Sequence, residues 1–110
     1  MAIYDYRRCP YIVDKLEKEI EASFRARMEK AGCLVLKLVC PGNAGVPDRL
    51  ILLPNGLAFF AEIKKFGAKP RPLQAAVHKK LLKQGFVVMV IDSENMILAA
   101  ECYVRQMLGR

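Results

Sequence analysis

Asp48, Glu62 and Lys64 are the residues that could do chemistry, and they lie within GVPDRLILLPNGLAFFAEIKK, residues 45–65. The stretch holds two greasy runs, each fit for a buried strand, with one acid heading the first and Glu-Ile-Lys closing the second. Buried strands do not normally carry ionised groups unless those groups are paired or bind a metal. The turn between the runs decides whether the acids meet. A two-residue Asn55-Gly56 turn would pair Pro54 with Leu57 and send Asp48 and Glu62 to opposite faces. A three-residue loop of Pro54, Asn55 and Gly56 pairs Leu53 with Leu57 instead. Asp48 then lies across from Glu62, with Lys64 two residues on and on the same face. Proline suits the first corner of a type I turn, and glycine suits the left-handed position that closes a three-residue hairpin. The three-residue loop is therefore expected.

Two carboxylates about 5 Å apart repel by roughly 3 kcal/mol at an effective dielectric of about 20. Relief can come from a raised pKa on one acid, from Lys64, or from a divalent cation. Mg²⁺ accepts one or two carboxylates together with carbonyl, water and phosphate oxygens. An isolated E-x-K is ordinarily a salt-bridged strand end. That reading weakens where the acids end apolar strands beside a glycine-bearing loop, here CPGNAGVP at residues 40–47.

The elements that must position these groups follow from periodicity. Val13, Leu16, Ile20, Phe24, Met28 and Ala31 recur at helical spacing over residues 12–31, and Gly32 supplies a stop. Glu17 and Glu21 share one flank of that helix, at the shoulder of its apolar stripe. Arg27 falls inside the stripe and is expected to snorkel to solvent. Residues 34–39, 48–53 and 57–64 read as strands. Residues 65–72, KFGAKPRP, form a basic, proline-containing loop. Pro72 opens a helix running to about residue 84, with Leu73, Val77 and Leu81 inward and Gly85 as its stop. Gln74 and His78 lie one turn apart on one face of it; a lone helix histidine is ordinarily a surface residue. Residues 86–91 form a continuous apolar run, the signature of a strand buried on both faces. Asp92-Ser93 offers a cap for a last helix from 94 towards 108. The order helix, three strands, helix, strand, helix implies an α/β fold, a mixed sheet flanked by helices.

At 110 residues, 54% hydrophobic and 26% charged, the chain is expected to be one globular domain over residues 1–110. Residues 1–11 form an N-terminal arm, whose Tyr4 and Tyr6, with Arg7, Arg8 and the adjoining Tyr11, suit base stacking or burial in a second subunit. No apolar run approaches the ~20 residues that span a bilayer, and the charged start is no secretory signal. An intracellular protein without a membrane partner is the expectation. Cys9, Cys33, Cys40 and Cys102 contain no C-x-x-C pair, and reduced thiols rather than zinc ligands are expected. Eighteen Lys and Arg against 11 Asp and Glu leave a net charge of +7, which suits a polyanion, nucleic acid before anionic membrane. Lys65, Lys69 and Arg71 leave the E-I-K strand directly, and Lys79, Lys80 and Lys83 decorate the next helix. Of these, Lys65, Lys69, Arg71, Lys79 and Lys80 are the expected DNA contacts, with a solvated lysine face as the alternative.

G-V-P-D, thirteen intervening residues and then E-I-K resembles the PD-(D/E)-x-K nuclease superfamily. Glu21, Gly32, the P-R-P-L-Q of residues 70–74 and the later G-F-V-V-M-V-I-D make the chain similar to the virus-type replication-repair nuclease (VRR-NUC) family, from about residue 15 to residue 92. The resemblance implies a restriction-endonuclease-like core and a Mg²⁺- or Mn²⁺-dependent endonuclease without an organic cofactor. It implies Asp48 and Glu62 as metal ligands, the Ile63 carbonyl as a third, and Glu21 completing the acidic cluster, directly or through water. Lys64 would orient or polarise the attacking water, and Gln74 would support the site. Small members of the family are associated with homodimers acting on branched DNA such as four-way (Holliday) junctions. The rivals are a sequence-specific, nicking or flap-cutting nuclease on the same scaffold, and a catalytically silent nucleic-acid-binding module.

Overall fold

The computed structural model describes residues 16–110; the N-terminal arm and the start of the first predicted helix lie outside the described residues. The elements are α1 (Glu17–Lys30), β1 (Leu34–Lys37), β2 (Arg49–Leu52), β3 (Ala58–Ile63), α2 (Pro72–Lys83), β4 (Val88–Ile91) and α3 (Glu94–Met107). This is the order read from the sequence, with strands a residue or two shorter. The sheet runs β1-β2-β3-β4, antiparallel across the first two pairs and parallel between β3 and β4. The parallel pair is the product of the α2 crossover, since parallel neighbours cannot be joined by a tight turn. Among the described residues no helix is long and apolar enough to cross a membrane.

Side chains alternate across the sheet, and this divides the molecule. One face carries Ile51, Phe59, Ala61 and Ile63, all buried, against Ile20, Phe24 and Met28 of α1 and Ile97, Ala100 and Val104 of α3. These form the core. The opposite face carries Phe60, packed edge-on against Phe86 at a centroid distance of 5.7 Å, and Glu62, which meets α2. Cys33, Cys40 and Cys102 are free thiols.

The hairpin turn is the one its chemistry demands. Leu53 N–H donates to Leu57 O at 2.8 Å and Gly56 N–H donates to Leu53 O at 3.1 Å, with Gly56 at φ +90°. The pairs Arg49–Ala61, Leu50–Phe60, Ile51–Phe59 and Leu52–Ala58 keep the register of the three-residue loop. The Asn55 side chain donates to Met107 O at 3.1 Å, tying the turn to the end of α3. Helix α3 starts where predicted, with Ser93 Oγ accepting from Met96 N–H at 3.3 Å.

Two expectations are corrected, and a third gains its partners. Helix α2 does not turn Leu73 inward: its fully buried residues are Gln74 and His78, Val77 and Leu81 are half-buried on the same face, and Leu73 is 55% exposed. Periodicity identifies a stripe but not what lies opposite, and here a polar group on the sheet draws the polar side of the helix. Strand β4 is not buried on both faces; only Ile91 is buried, because the strand lies at the sheet edge and α2 touches it lightly. Arg27 carries its guanidinium out to the half-exposed edge of the α1–α3 seam, where it finds partners. Its Nη1 donates to Glu101 Oε2 at 2.8 Å and its Nη2 to Glu94 Oε1 at 3.1 Å, bracing α1 against α3.

Gly45 is where the loop before Asp48 meets the start of α2. It has φ +91°, and a Cβ there would stand 2.8 Å from Leu73 O and 3.0 Å from Leu73 C. Gly45→Ala should therefore lose about 1–3 kcal/mol in a denaturant unfolding series. Gly56→Ala, with no atom within 4 Å of the added carbon, should show only the backbone penalty of about 1 kcal/mol.

Candidate active site

Asp48 stands one residue ahead of β2. Its Oδ1 accepts the Ile63 N–H at 3.1 Å, so the carboxylate fills the place of a ladder acceptor where β2 and β3 part. Its own carbonyl accepts Leu38 N–H at 2.9 Å, which fixes the backbone from the β1 side. Glu62 belongs to β3 and is 3% exposed. Gln74 Nε2 donates to Glu62 Oε2 at 3.2 Å, while Gln74 Oε1 accepts the Arg71 N–H at 2.9 Å at the start of α2. The second bond is half of a capping arrangement, so one amide both starts the helix and holds the acid. Lys64 Nζ lies 3.7 Å from Glu62 Oε2, and His78 Nε2 lies 3.8 Å from Glu62 Oε1.

Electrostatics follow from burial. The Glu62 carboxyl is pushed up to about 7, first by desolvation and then by the charge of Asp48, with Lys64 opposing. Asp48 is also raised by burial, against the pull of the Ile63 N–H. The imidazole of His78 is lowered by burial and by the Lys64 charge. The β2–β3 register, continued one residue beyond Arg49–Ala61, sets Asp48 across from Glu62, which is why its charge bears on that acid.

A cleft of about 330 Å³ opens between the start of α1 and the hairpin, lined by Glu17, Lys18, Glu21, Asp48, Arg49 and Ile63. Glu21 reaches this cleft, but its Oε1 lies 3.3 Å from Arg25 Nε and 3.6 Å from Arg49 Nε. In this geometry it is a counter-ion to two arginines at the edge of the cleft that Asp48 lines. Glu17 is the helix acid whose charge bears on both Asp48 and Glu62. Arg49 was not singled out in the sequence. Its side chain is 14% exposed, its Nη1 donates to Asp48 O at 2.9 Å, and it links Glu21 to Asp48. The signal was available: with Asp48 opposite Glu62, the next residue must point to the α1 face, under Glu21. Lys65, Lys69, Arg71, Lys79 and Lys80 are all exposed around the α2 end.

The donor set suits a hard divalent cation. Asp48 and Glu62 offer carboxylate oxygens, and Ile63, whose N–H binds Asp48, lines the cleft beside Asp48; this is the oxygen-only chemistry that Mg²⁺ and Mn²⁺ prefer. Buried Glu62 Oε1 has no hydrogen-bond partner among the described residues, and its carboxyl is held near neutrality beside a second acid. A cation reverses such a shift. Among the described residues no three His, Cys, Asp or Glu side chains converge on one metal point. The set is one or two acids plus main chain, which leaves the remaining positions to water and phosphate.

A hairpin carrying Pro-Asp at one strand head and Glu-x-Lys at the next strand tail, in a mixed sheet of this order, defines the PD-(D/E)-x-K class of α/β nuclease folds. Comparison with known proteins narrows the class. No family model matches the chain. "Putative nuclease p44" of Acyrthosiphon pisum secondary endosymbiont phage 1 is 42% identical over 80 residues, covering 73% of this chain and 86% of that protein. A solved structure described as a VRR_NUC domain matches with a TM-score of 0.71 and 36% identity, covering 74% of this chain and 88% of the other. The chain belongs to the VRR-NUC family of nucleases.

The raised Glu62 carboxyl makes a prediction about the metal-free protein. A folded-state value of about 7 against an ordinary 4.5 favours the protonated acid. Its stabilising contribution is full below pH 4.5 and is lost as pH rises through 7. At about 1.4 kcal/mol per unit the loss is roughly 3 kcal/mol. Urea unfolding in EDTA across this range should show wild type losing stability relative to Glu62→Gln, which has no carboxyl to ionise.

Proposed function

We propose that this protein is a Mg²⁺- or Mn²⁺-dependent endonuclease that hydrolyses phosphodiester bonds in branched DNA, four-way junctions foremost, acting as an intracellular homodimer. The observation that carries this reading is the meeting of Asp48, Glu62 and Lys64 at the fork of one hairpin, with an acid raised towards neutrality and unmatched by a full counter-charge. Family membership supports the reaction class.

In this reading Asp48, Glu62 and the Ile63 carbonyl hold the cation, which when bound lowers the pKa of a water and offsets charge on the phosphate. Water oxygen bonds to phosphorus as one ester P–O bond breaks, leaving a phosphate monoester and an alcohol. Lys64, anchored 3.7 Å from Glu62, orients the attacking water and balances the charge that gathers on the phosphate oxygens. Gln74 keeps Glu62 in place through its hydrogen bond, and Glu21 acts at one remove by holding Arg49 beside Asp48. Lys65, Lys69, Arg71, Lys79 and Lys80 meet DNA phosphates away from the scissile bond, a contact blind to base sequence. The whole chain, arm included, serves as one catalytic domain. A dimer places two such sites for paired cuts across a two-fold substrate.

Asp48→Asn keeps an acceptor for the Ile63 N–H while removing the charge, and Glu62→Ala removes the second acid. Each should lower cleavage by about a thousandfold, equal to roughly 4 kcal/mol of barrier, with DNA affinity unchanged in a gel-shift titration. Full activity in either variant would refute the site. Mn²⁺ at about a hundred times its Kd should stabilise wild type by roughly 2.7 kcal/mol, and Glu62→Ala should erase the effect; no response in wild type would favour a silent binding module. A panel of four-way junctions, flaps and linear duplexes of matched sequence, with and without Mg²⁺, tests the substrate. Equal cutting of the linear duplex would favour a restriction-type enzyme.

A further inference from the structure

Helix α2 buries two side chains, and both are polar. Gln74 is 6% exposed and His78 7%, while Leu73 and Leu82 face solvent at 55% and 54%. A surface helix normally docks through an apolar stripe; here Val77 and Leu81 are only half-buried, and the fully buried positions of that face are polar. Both buried groups converge on the same carboxylate. Gln74 Nε2 donates to Glu62 Oε2 at 3.2 Å, and His78 Nε2 stands 3.8 Å from Glu62 Oε1. Neither His78 Nε2 nor Glu62 Oε1 has a hydrogen-bond partner among the described residues. Two facing polar atoms left without partners each carry a desolvation cost that an apolar side chain would avoid. Packing alone therefore does not account for a histidine here. Nor does its burial, at 7% exposed, suit direct contact with substrate.

We propose that His78 is a positioning residue for Glu62, a donor on Oε1 that pairs with Gln74 on Oε2 to fix the plane of the carboxylate. The gap of 3.8 Å exceeds a hydrogen bond by about 0.8 Å, which a small turn of the imidazole or the carboxylate closes. A carboxylate has about four lone-pair sites. A clamp from α2 takes one on each oxygen and leaves the rest for a cation shared with Asp48. The two donors lie four residues apart on one helix, so a single rigid element sets both contacts. Hydrogen-bonded partners of metal-binding carboxylates typically tune metal affinity or activity by 10–100-fold.

This inference rests on the metal-dependent reading of the site, and the experiment separates the two. His78→Gln keeps a donor near the Nε2 position, His78→Asn keeps polarity but falls short, and His78→Leu fills the space without a donor. In EDTA, His78→Leu should melt no lower than wild type. Calorimetric titration with Mn²⁺ alone, without DNA, should show affinity falling about 10–100-fold in the Leu and Asn variants and recovering in Gln. Cleavage should follow the same order in kcat, with KM for DNA unchanged. Wild-type Mn²⁺ affinity in both Leu and Asn would overturn the positioning role while leaving the nuclease reading intact. Equal losses in Gln, Asn and Leu, tracking lowered melting, would also overturn it, by reducing His78 to packing. If wild type itself takes up no Mn²⁺ and cuts no DNA, the nuclease reading falls, and this inference with it.

Discussion

Everything in this molecule is arranged around a carboxyl group taken out of water. Glu62 is nearly fully buried in β3 and shares its surroundings with a second acid, Asp48. Such a group is costly unless its oxygens are bonded and its charge is offset. The offset is partial: a glutamine amide on one oxygen, a lysine ammonium at 3.7 Å, and an imidazole just beyond bonding distance. The remainder of the fold supplies stiffness. The apolar face of the sheet, closed by α1 and α3, anchors β3 through Phe59, Ala61 and Ile63 on the side away from the acid. Alternation along one strand thus separates stability from chemistry, one residue apart.

The loop before Asp48 and the start of α2 are joined by the contact of Gly45 with Leu73, and the same first turn of α2 holds Gln74. Asp48 and the clamp on Glu62 are consequently positioned by one junction. On the α1 side, Arg49 bridges Glu21 and Asp48, so the helix flank is also coupled to the hairpin fork. The acids are approached from both layers of the fold, and neither layer alone would orient them.

Much of this was legible in the sequence, for reasons that are local. Pro54, Asn55 and Gly56 dictate the loop, the loop dictates the register, and the register sets Asp48 against Glu62; no tertiary information is needed. Gly32, Pro72, Gly85 and Ser93 mark helix ends by backbone geometry that few other residues satisfy. What was not legible depends on partners distant in the chain. Arg27 looked misplaced in an apolar stripe until Glu94 and Glu101 of α3 met it. Leu73 of α2 reads as inward until the sheet is seen to present a polar group, and residues 86–91 read as buried on both faces although most of β4 is only half-buried. The arginine partners of Glu21 are likewise out of reach of a helical wheel, which gives direction and not company.

The crossover between β3 and β4 has a consequence for biosynthesis. The acidic hairpin is complete at residue 63, whereas the donors that restrain Glu62 arrive on residues 72–83 and the neighbouring strand later still. At a ribosomal pace of about 5–20 residues per second, the two carboxylates are laid down seconds ahead of the helix that shields them. Glu62 is thus made before the groups that restrain it, and the site acquires its geometry only once α2 and β4 have been added.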